Sequence, residues 1–585
     1  MTASDQGLGR AIDFGSPPSG RERGIIARYF HAGPGRILFV SATAIAVALL
    51  VALPIVFLIV ASFAVGRPGS IEALTLGNYF EVLREPRYWG VVGATLLVSL
   101  GSVVIAFGLG IPVAWLTTRY QPLGNRIWRS LAPTPLYVSP LVVAVGWDTL
   151  LNPSTGYLVR LTDGAFAGWD LYGPVGIAAV MGIYFSTYVY LYAAPSFATL
   201  DANLEDAARI TGAPPFTVIR RVTVPLIAPS LLAVGILVVV LSTGLFSISA
   251  VLGWPVNFRL LPLEVYFSLS VPPVNYGSGL VMSVVTLFIT TILLIGYYIA
   301  TRHGHRYETI RGAALHARPA RGRGRYFGAA YLAVYLILAI GIPLGTLFAI
   351  ATTDFAGRWV GLEAFASVMN SRSFVTAAAN TLIVAGAASL LTVLLGIAVA
   401  YTLKFRLLGR ATVVLDYVVA YPLAIPGVVL GAGLLWMYLQ VPGAVALYGT
   451  LGILVVACVI QHLAVTVRAL VAGAGQLGGE MFDAASVAGA SWFTRLTRIF
   501  VPPLGRHIYD TWVLTLVLSS RELAAILLLW NSVTITLPVL MFTVWREGTY
   551  RDLAAIGIIQ TLLTIGVLLV AAQVRKSIWK ERAGA

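Results

Sequence analysis

The stretch Ile37–Val60 reads ILFVSATAIAVALLVALPIVFLIV, an unbroken run without a single charge. A bilayer core is crossed by about 20 apolar residues wound as a helix, because only a helix or a closed barrel satisfies its own backbone away from water. Barrel strands would alternate apolar and polar positions over segments of about ten residues. This run does not alternate. It also exceeds the roughly 7–15 apolar residues of a cleavable signal core, so it is expected to remain in the mature chain. Such runs recur throughout the chain, which is 58% hydrophobic and only 11% charged. Mean hydropathy is +0.86. A soluble domain carries roughly 25% charged residues, so these numbers exclude one. Helices are expected near 36–63, 89–116, 130–150, 173–196, 226–251 and 278–300. A second set falls near 327–352, 375–403, 411–439, 447–470, 508–530 and 553–574. The fold class is an all-α membrane protein of about twelve transmembrane helices.

Charge then orients the chain. The segment 301–326 holds Arg302, Arg306, Arg311, Arg318, Arg321, Arg323 and Arg325. Arg21, Arg23, Arg28 and Arg36 precede the first helix, and Arg575, Lys576, Lys580 and Arg582 follow the last. Basic loops stay on the cytoplasmic side, so an even helix count puts both termini there. The loops 117–129 and 404–410 fall on the same side. The net charge of +15 is thus read as loop arginines, not as a nucleic-acid footprint. Residues 1–35 have no periodicity and are expected to form a poorly ordered cytoplasmic tail, and 576–585 a second tail. The single cysteine, Cys458, supports neither a disulfide nor a metal cluster.

The two sets of six helices are copies. Thr95-Leu96 matches Thr381-Leu382, Gly110 matches Gly396 and Pro140 matches Pro426, all at an offset of 286. Further along, the offset falls to 277, which places a longer first-half loop near 150–172. The halves are therefore 36–300 and 327–575, joined by the basic linker 301–326. Six helices return the chain to its starting side, so the copies are parallel.

Between the fourth and fifth helices of each half lies a polar segment, within 199–229 and 476–506. The first contains Glu205, Asp206, Ala207, Ala208, Gly212, Ala213, Pro214, Pro215 and Phe216, ending at Pro225. The second contains Asp483, Ala484, Ala485, Gly489, Ala490, Ser491 and Phe493, ending at Pro502. Arg221 and Arg498 fall within the matched stretch. The Asp-Ala-Ala turn favours helix. Gly212 and Gly489 can take the positive φ that ends a helix. Pro214 or Pro215 suits the first turn of a new helix, and Ser491 can cap its counterpart. Pro225 and Pro502 are expected to mark where the short helix breaks and the chain re-enters the membrane.

These segments resemble the "EAA loop" of ABC importer permeases: Glu-Ala-Ala, three residues, Gly, nine residues, Ile, one residue, Leu-Pro. Asp206 and Asp483 replace the glutamate, and valines (Val222, Val224, Val501) stand at the apolar positions. The resemblance implies a type I importer-like permease of two tandem six-helix halves in a bacterial plasma (inner) membrane. It further implies coupling helices gripped by two copies of an ABC ATPase subunit, and a solute handed over by an extracytoplasmic binding protein. No catalytic or metal site, no cofactor and no nucleic-acid partner is expected in this chain. Its lysines, Lys404, Lys576 and Lys580, never follow glycine, so the phosphate-binding Gly-Lys-Ser/Thr is absent, and ATP and Mg are left to the partner. The pattern Arg521-Glu522-Leu523 with Leu527-Leu528-Leu529 and Thr536-Leu537-Pro538-Val539 is similar to ferric-iron importer permeases and their thiamine, 2-aminoethylphosphonate and polyamine relatives.

Charged residues inside a bilayer cost roughly 2.5–3.5 kcal/mol on insertion scales and face a partner or a watery path. Arg521 and Glu522 are read either as pathway lining or as a structural ion pair, with Ser242, Thr243 and Gly244 at the matching place in the first half. His462 and Asp416 are read as satisfied structural residues, and Tyr184, Tyr188, Tyr190 and Tyr192 as helix packing. The alternative reading of the chain is an ion-coupled secondary transporter of twelve helices, which needs no paired projections.

Overall fold

The computed structural model describes residues 34–165, 168, 171–200, 205, 207–208, 210–302, 323–354, 357–441 and 443–581. The tail 1–33, most of the linker 301–326 and Asp206 lie outside them. Among the described residues nine helices are long and apolar enough to cross a membrane, and up to eleven if each of two bent pairs is one span. A two-residue ribbon, Ala64–Val65 against Ala73–Leu74, supplies the only strands there.

Helix faces are sorted for lipid rather than for water. On Pro86–Trp115 the outward face carries Leu97, Leu100 and Val104, while Thr95, Ser99, Ser102 and Gly110 point inward. Small residues let helix backbones approach closely where apolar burial offers no gain over lipid. Gly110 does so against helix Pro174–Thr199: a Cβ there would come within 2.5 Å of the Ser186 carbonyl oxygen.

The eleventh helix departs from its expected course. The stretch 508–530 is not one span: helix Val501–Ser520 stops at Ser520, and turns follow to Leu537. The fifth helix stops at the equivalent place, Thr243, and a separate helix Phe246–Gly253 follows. Arg506, His507 and Asp510 lie in the first half of Val501–Ser520, which lowers its apolarity. The third helix of each half is also broken. Asn125–Tyr137 meets Pro140–Leu151 at 90°, and Ala411–Ala424 meets Gly427–Gln440 at 109°. Pro140 and Pro426 stand at the bends, where a missing N–H and a fixed φ interrupt the ladder.

Internal symmetry reaches single hydrogen bonds. Thr95 Oγ1 accepts from the N–H of Leu261 at 2.9 Å, and Thr381 Oγ1 accepts from that of Leu537 at 2.8 Å. Each bond satisfies a free donor at the start of a Leu-Pro helix, Leu261–Ser270 or Leu537–Glu547. The halves also exchange their first helices. Pro54 of Pro34–Ser62 lies against Gly433, and Pro343 of Ile342–Thr352 lies against Gly146. Each contact presses a proline onto a glycine of the other half's third helix. The bent third helices and the interrupted fifth helices are thereby brought together between the halves.

Candidate functional site

The candidate functional residues fall in two places: the paired helix–turn–helix segments and the axis between the halves. In the second segment, helix Glu480–Val487 ends in Gly489 with φ +74°. The Ala490 N–H donates to the Ala485 carbonyl at 2.9 Å and the Gly489 N–H to that of Ser486 at 3.2 Å. This pair of bonds is a Schellman closure, which needs a left-handed residue at its turn. In the first segment Gly212 has φ +84° and the Ala213 N–H donates to the Ala208 carbonyl at 3.2 Å. Space around both glycines is open, so a side chain there would meet no neighbour within 4 Å. Backbone sterics alone select glycine.

The chain then starts a second helix. Pro215 opens Pro215–Val218, whose first N–H groups bond the Pro214 carbonyl. Ser491 caps the counterpart, its hydroxyl accepting from the Thr494 N–H at 3.1 Å. Neither helix breaks at its proline, contrary to expectation. A π-turn, Ile219–Thr223 or Arg495–Phe500, leads directly into Val224–Thr243 or Val501–Ser520. The wider turn shifts the bonding register by one residue, so Pro225 and Pro502 sit at the second position of the continuing helix without a clash. The segment is thus a rigid extension of the fifth membrane helix. Ala207, Asp483 and Ala484 are exposed, and Ala208, Ala485, Ala213 and Ala490 half-buried. Phe493 is exposed, while Phe216 is helical. Ile210 and Val487, at matching positions, are 86% and 90% exposed. These two residues were not singled out by motif, because the pattern leaves their positions unspecified.

The two segments are fastened differently. Glu205 Oε2 lies 2.6 Å from the Arg119 guanidinium, and its other oxygen accepts from the Thr223 hydroxyl at 2.8 Å. Arg119 also donates to the Leu200 carbonyl at 3.4 Å. In the second half Lys404 donates to the matching Leu477 carbonyl at 2.9 Å. There Phe482 replaces Glu205 and Phe500 replaces Thr223. Phe482 packs on Phe405 with ring centroids 4.7 Å apart, and Phe500 lies 5.2 Å from Tyr401. Phe39 of the first helix stacks on Trp492 at 5.1 Å, adding a further clamp to the second segment.

On the axis, Arg521 does not pair with Glu522. Its guanidinium donates to the Leu136 carbonyl, to that of Val138 at 2.9 Å and to the Tyr184 hydroxyl at 3.0 Å. The bend before Pro140 frees these carbonyls from a helix ladder, and an arginine of the opposite half takes them up. The mirror contact is Gly244, whose absent Cβ would come 3.0 Å from Pro426 Cβ at the other bend. Glu522 accepts from the Ala525 N–H at 3.0 Å, and its other oxygen lies 3.8 Å from His462 Nε2. Ser242 and Thr243 are buried, with hydroxyls bonded to carbonyls of their own helix. Asp416 pairs with Arg468 at 2.9 Å. His462 is not satisfied, contrary to expectation: its buried Nε2 has no hydrogen-bond partner. Tyr184 does more than pack, since it accepts from Arg521.

Residues 99–306 match the family described as the binding-protein-dependent transport system inner membrane component. With the helical membrane fold and the doubled segments, this makes the chain a permease subunit of the ABC-importer class, multi-pass in the membrane. Among particular proteins, it is 25% identical over 504 residues to the ferric transport system permease protein FbpB of Actinobacillus pleuropneumoniae, covering 82% of this chain and 70% of that one. It is likewise 25% identical over 444 residues to a putative ferric transport system permease protein FbpB 1 of Haemophilus influenzae, covering 74% and 68%. A solved bacterial alginate ABC transporter, in complex with an alginate pentasaccharide-bound periplasmic protein, aligns at 18% identity and TM-score 0.37 over 43% of this chain and 94% of that one.

Proposed function

We propose that this chain is the transmembrane permease subunit of an importer for ferric iron or a related small solute. An extracytoplasmic binding protein delivers the solute, and two ATPase subunits drive the halves between inward- and outward-facing arrangements. The observation that carries the reading is the pair of helix–glycine-turn–helix segments, each continuous with a fifth membrane helix. A rigid extension transmits a push from outside the bilayer to the interrupted helix inside it. Ile210 and Val487 are apolar knobs on these segments, suited to a groove on each ATPase. The iron assignment is supported by the two relatives named for ferric transport. Arg521, Glu522, Ser242 and Thr243 then border the path between the halves.

Cross-linking tests the coupling. In a Cys458→Ser background, cysteines placed at Ala213 and Ala490 are expected to cross-link to cysteines in the ATPase groove of an active complex. Absence of any cross-link from both positions would remove the coupling assignment. ATP-dependent uptake of iron-loaded binding protein cargo tests the substrate. Uptake that follows an ion gradient instead of ATP would favour the secondary-transporter alternative.

A further inference from the structure

The two halves differ along one seam. Helices Leu451–Gly475 and Val501–Ser520 pack against each other in the second half, with His462 and Thr466 buried on the first, Thr515 and Ser519 buried on the second, and Glu522 just beyond its end. Thr466 and Thr515 share a hydrogen bond of 2.8 Å. At the matching positions of the first half stand Phe185, Val189, Val238, Ser242 and Leu245. One half thus buries an imidazole, a carboxylate and hydroxyls where the other is almost wholly apolar. Burying polar groups costs free energy unless they are partnered, and two here are not. His462 is only 7% exposed, and both its Nε2 and Ser519 Oγ lack any hydrogen-bond partner.

We propose that His462 and Glu522 form a two-ligand transit site for a first-row transition-metal cation. The Nε2–Oε2 separation of 3.8 Å is too long for a hydrogen bond. It lies within the span of about 4.2 Å that two metal–ligand bonds of roughly 2.0–2.2 Å reach end to end. Imidazole nitrogen together with carboxylate oxygen suits iron-like cations. Among the described residues no group of three or more His, Cys, Asp or Glu could hold a metal, so the protein supplies two ligands and the remaining positions fall to water or a carried ligand. A path requires sites that admit an ion and release it, and two ligands meet that need better than a closed cage. The neighbouring Arg521 directs its Nη1 at the opposite half, donating to the Leu136 and Val138 carbonyls and to the Tyr184 hydroxyl. Its charge still opposes a cation, which further favours release.

The proposal rests on the axis being the solute path, and its test separates the two. Manganese(II) is titrated into the full chain in lipid nanodiscs while the EPR signal of the free ion is followed. His462→Phe and Glu522→Gln are each expected to weaken one ion-binding step at least as much as the loss of an outer-shell partner does, by about tenfold or more in midpoint. His462→Phe imports the residue already used at position 185, so folding is expected to survive; Glu522→Asp should recover part of the lost binding. Wild-type binding in both His462→Phe and Glu522→Gln overturns the site. Assembly with the ATPase and ATP hydrolysis stimulated by the loaded binding protein are measured on the wild type. Their failure would sink the permease mechanism, whereas their success with unaltered manganese binding in the variants would sink only the site.

Discussion

The two helix–turn–helix segments share a backbone and differ in what holds them. The first is tied to its half by Arg119, Glu205 and Thr223, the second by Tyr401, Phe405, Phe482 and Phe500. Backbone features common to both, the positive-φ glycine and the π-turn, set the angle of projection. Side chains specific to each decide how the segment yields under load. An apolar cluster resists separation through area removed from water, which charge screening does not weaken. A charge pair is strong while closed, and each open partner finds water. The second segment reads as a fixed arm and the first as one held by a latch.

The largest effect should come from the arm. Phe482 is fully buried among aromatic rings. Its replacement by alanine is expected to cost about 3–5 kcal/mol locally, seen as faster hydrogen exchange across 480–500. Exchange across the first segment should be unchanged. Equal acceleration of both segments would mean that they open as one body.

Next comes the latch. The Arg119 and Glu205 side chains are 10% and 15% exposed, so solvent screens them only in part. Glu205→Gln leaves a mostly buried guanidinium short of its counter-charge, which costs up to about 3 kcal/mol. The expected readout is first-segment hydrogen exchange that rises while the second keeps its protection. If Glu205→Gln leaves exchange as it was, Arg119 and Glu205 are an incidental pair.

How much of this was legible beforehand divides along physical lines. Helix periods, apolar length and the Asp-Ala-Ala…Gly spacing are local, and local features survive in a sequence. Ser491 was readable as a cap and Gly212 and Gly489 as turns for that reason. The break at Arg521 was not, because its partners are carbonyls exposed by a proline bend of the opposite half, some 385 positions away. Nor was the contrast between Glu205 and Phe482, since the partners Arg119 and Phe405 come from the far end of another helix. His462 carried no distinguishing signal. Only the placement of Glu522 beyond the end of helix Val501–Ser520 brings the two within reach.

A smaller and symmetric effect is expected at the turns. Gly212→Val and Gly489→Val meet no steric neighbour, so each pays only for left-handed backbone, about 1–2 kcal/mol. Because the closure is the same in both halves, the two substitutions should reduce ATP-coupled uptake by similar factors. A strong difference between them would show that one segment carries most of the coupling.

The smallest effect should follow from grafting one fastening onto the other half. Arg119→Lys combined with Glu205→Phe and Thr223→Phe gives the first segment the residues of the second. The new lysine can keep the Leu200 carbonyl as Lys404 keeps that of Leu477. Tyr120, stacked on Trp115 at 5.2 Å, occupies the place of Phe405, which stands 5.0 Å from Tyr401. Replacing a largely buried ion pair with well-packed apolar groups is often neutral or stabilising by about 1–4 kcal/mol, while imperfect packing of the added rings costs about 1–3 kcal/mol. The two tendencies offset, so local stability by hydrogen exchange should stay near wild type. What should change is its dependence on salt. Raising ionic strength from about 0.01 M to 1 M shortens the screening length from about 30 Å to 3 Å, which should loosen the wild-type first segment slightly and leave the grafted one unmoved. A graft that retains the wild-type salt response would show that charges other than Arg119 and Glu205 hold this segment, and that the two halves are fastened more alike than their side chains suggest.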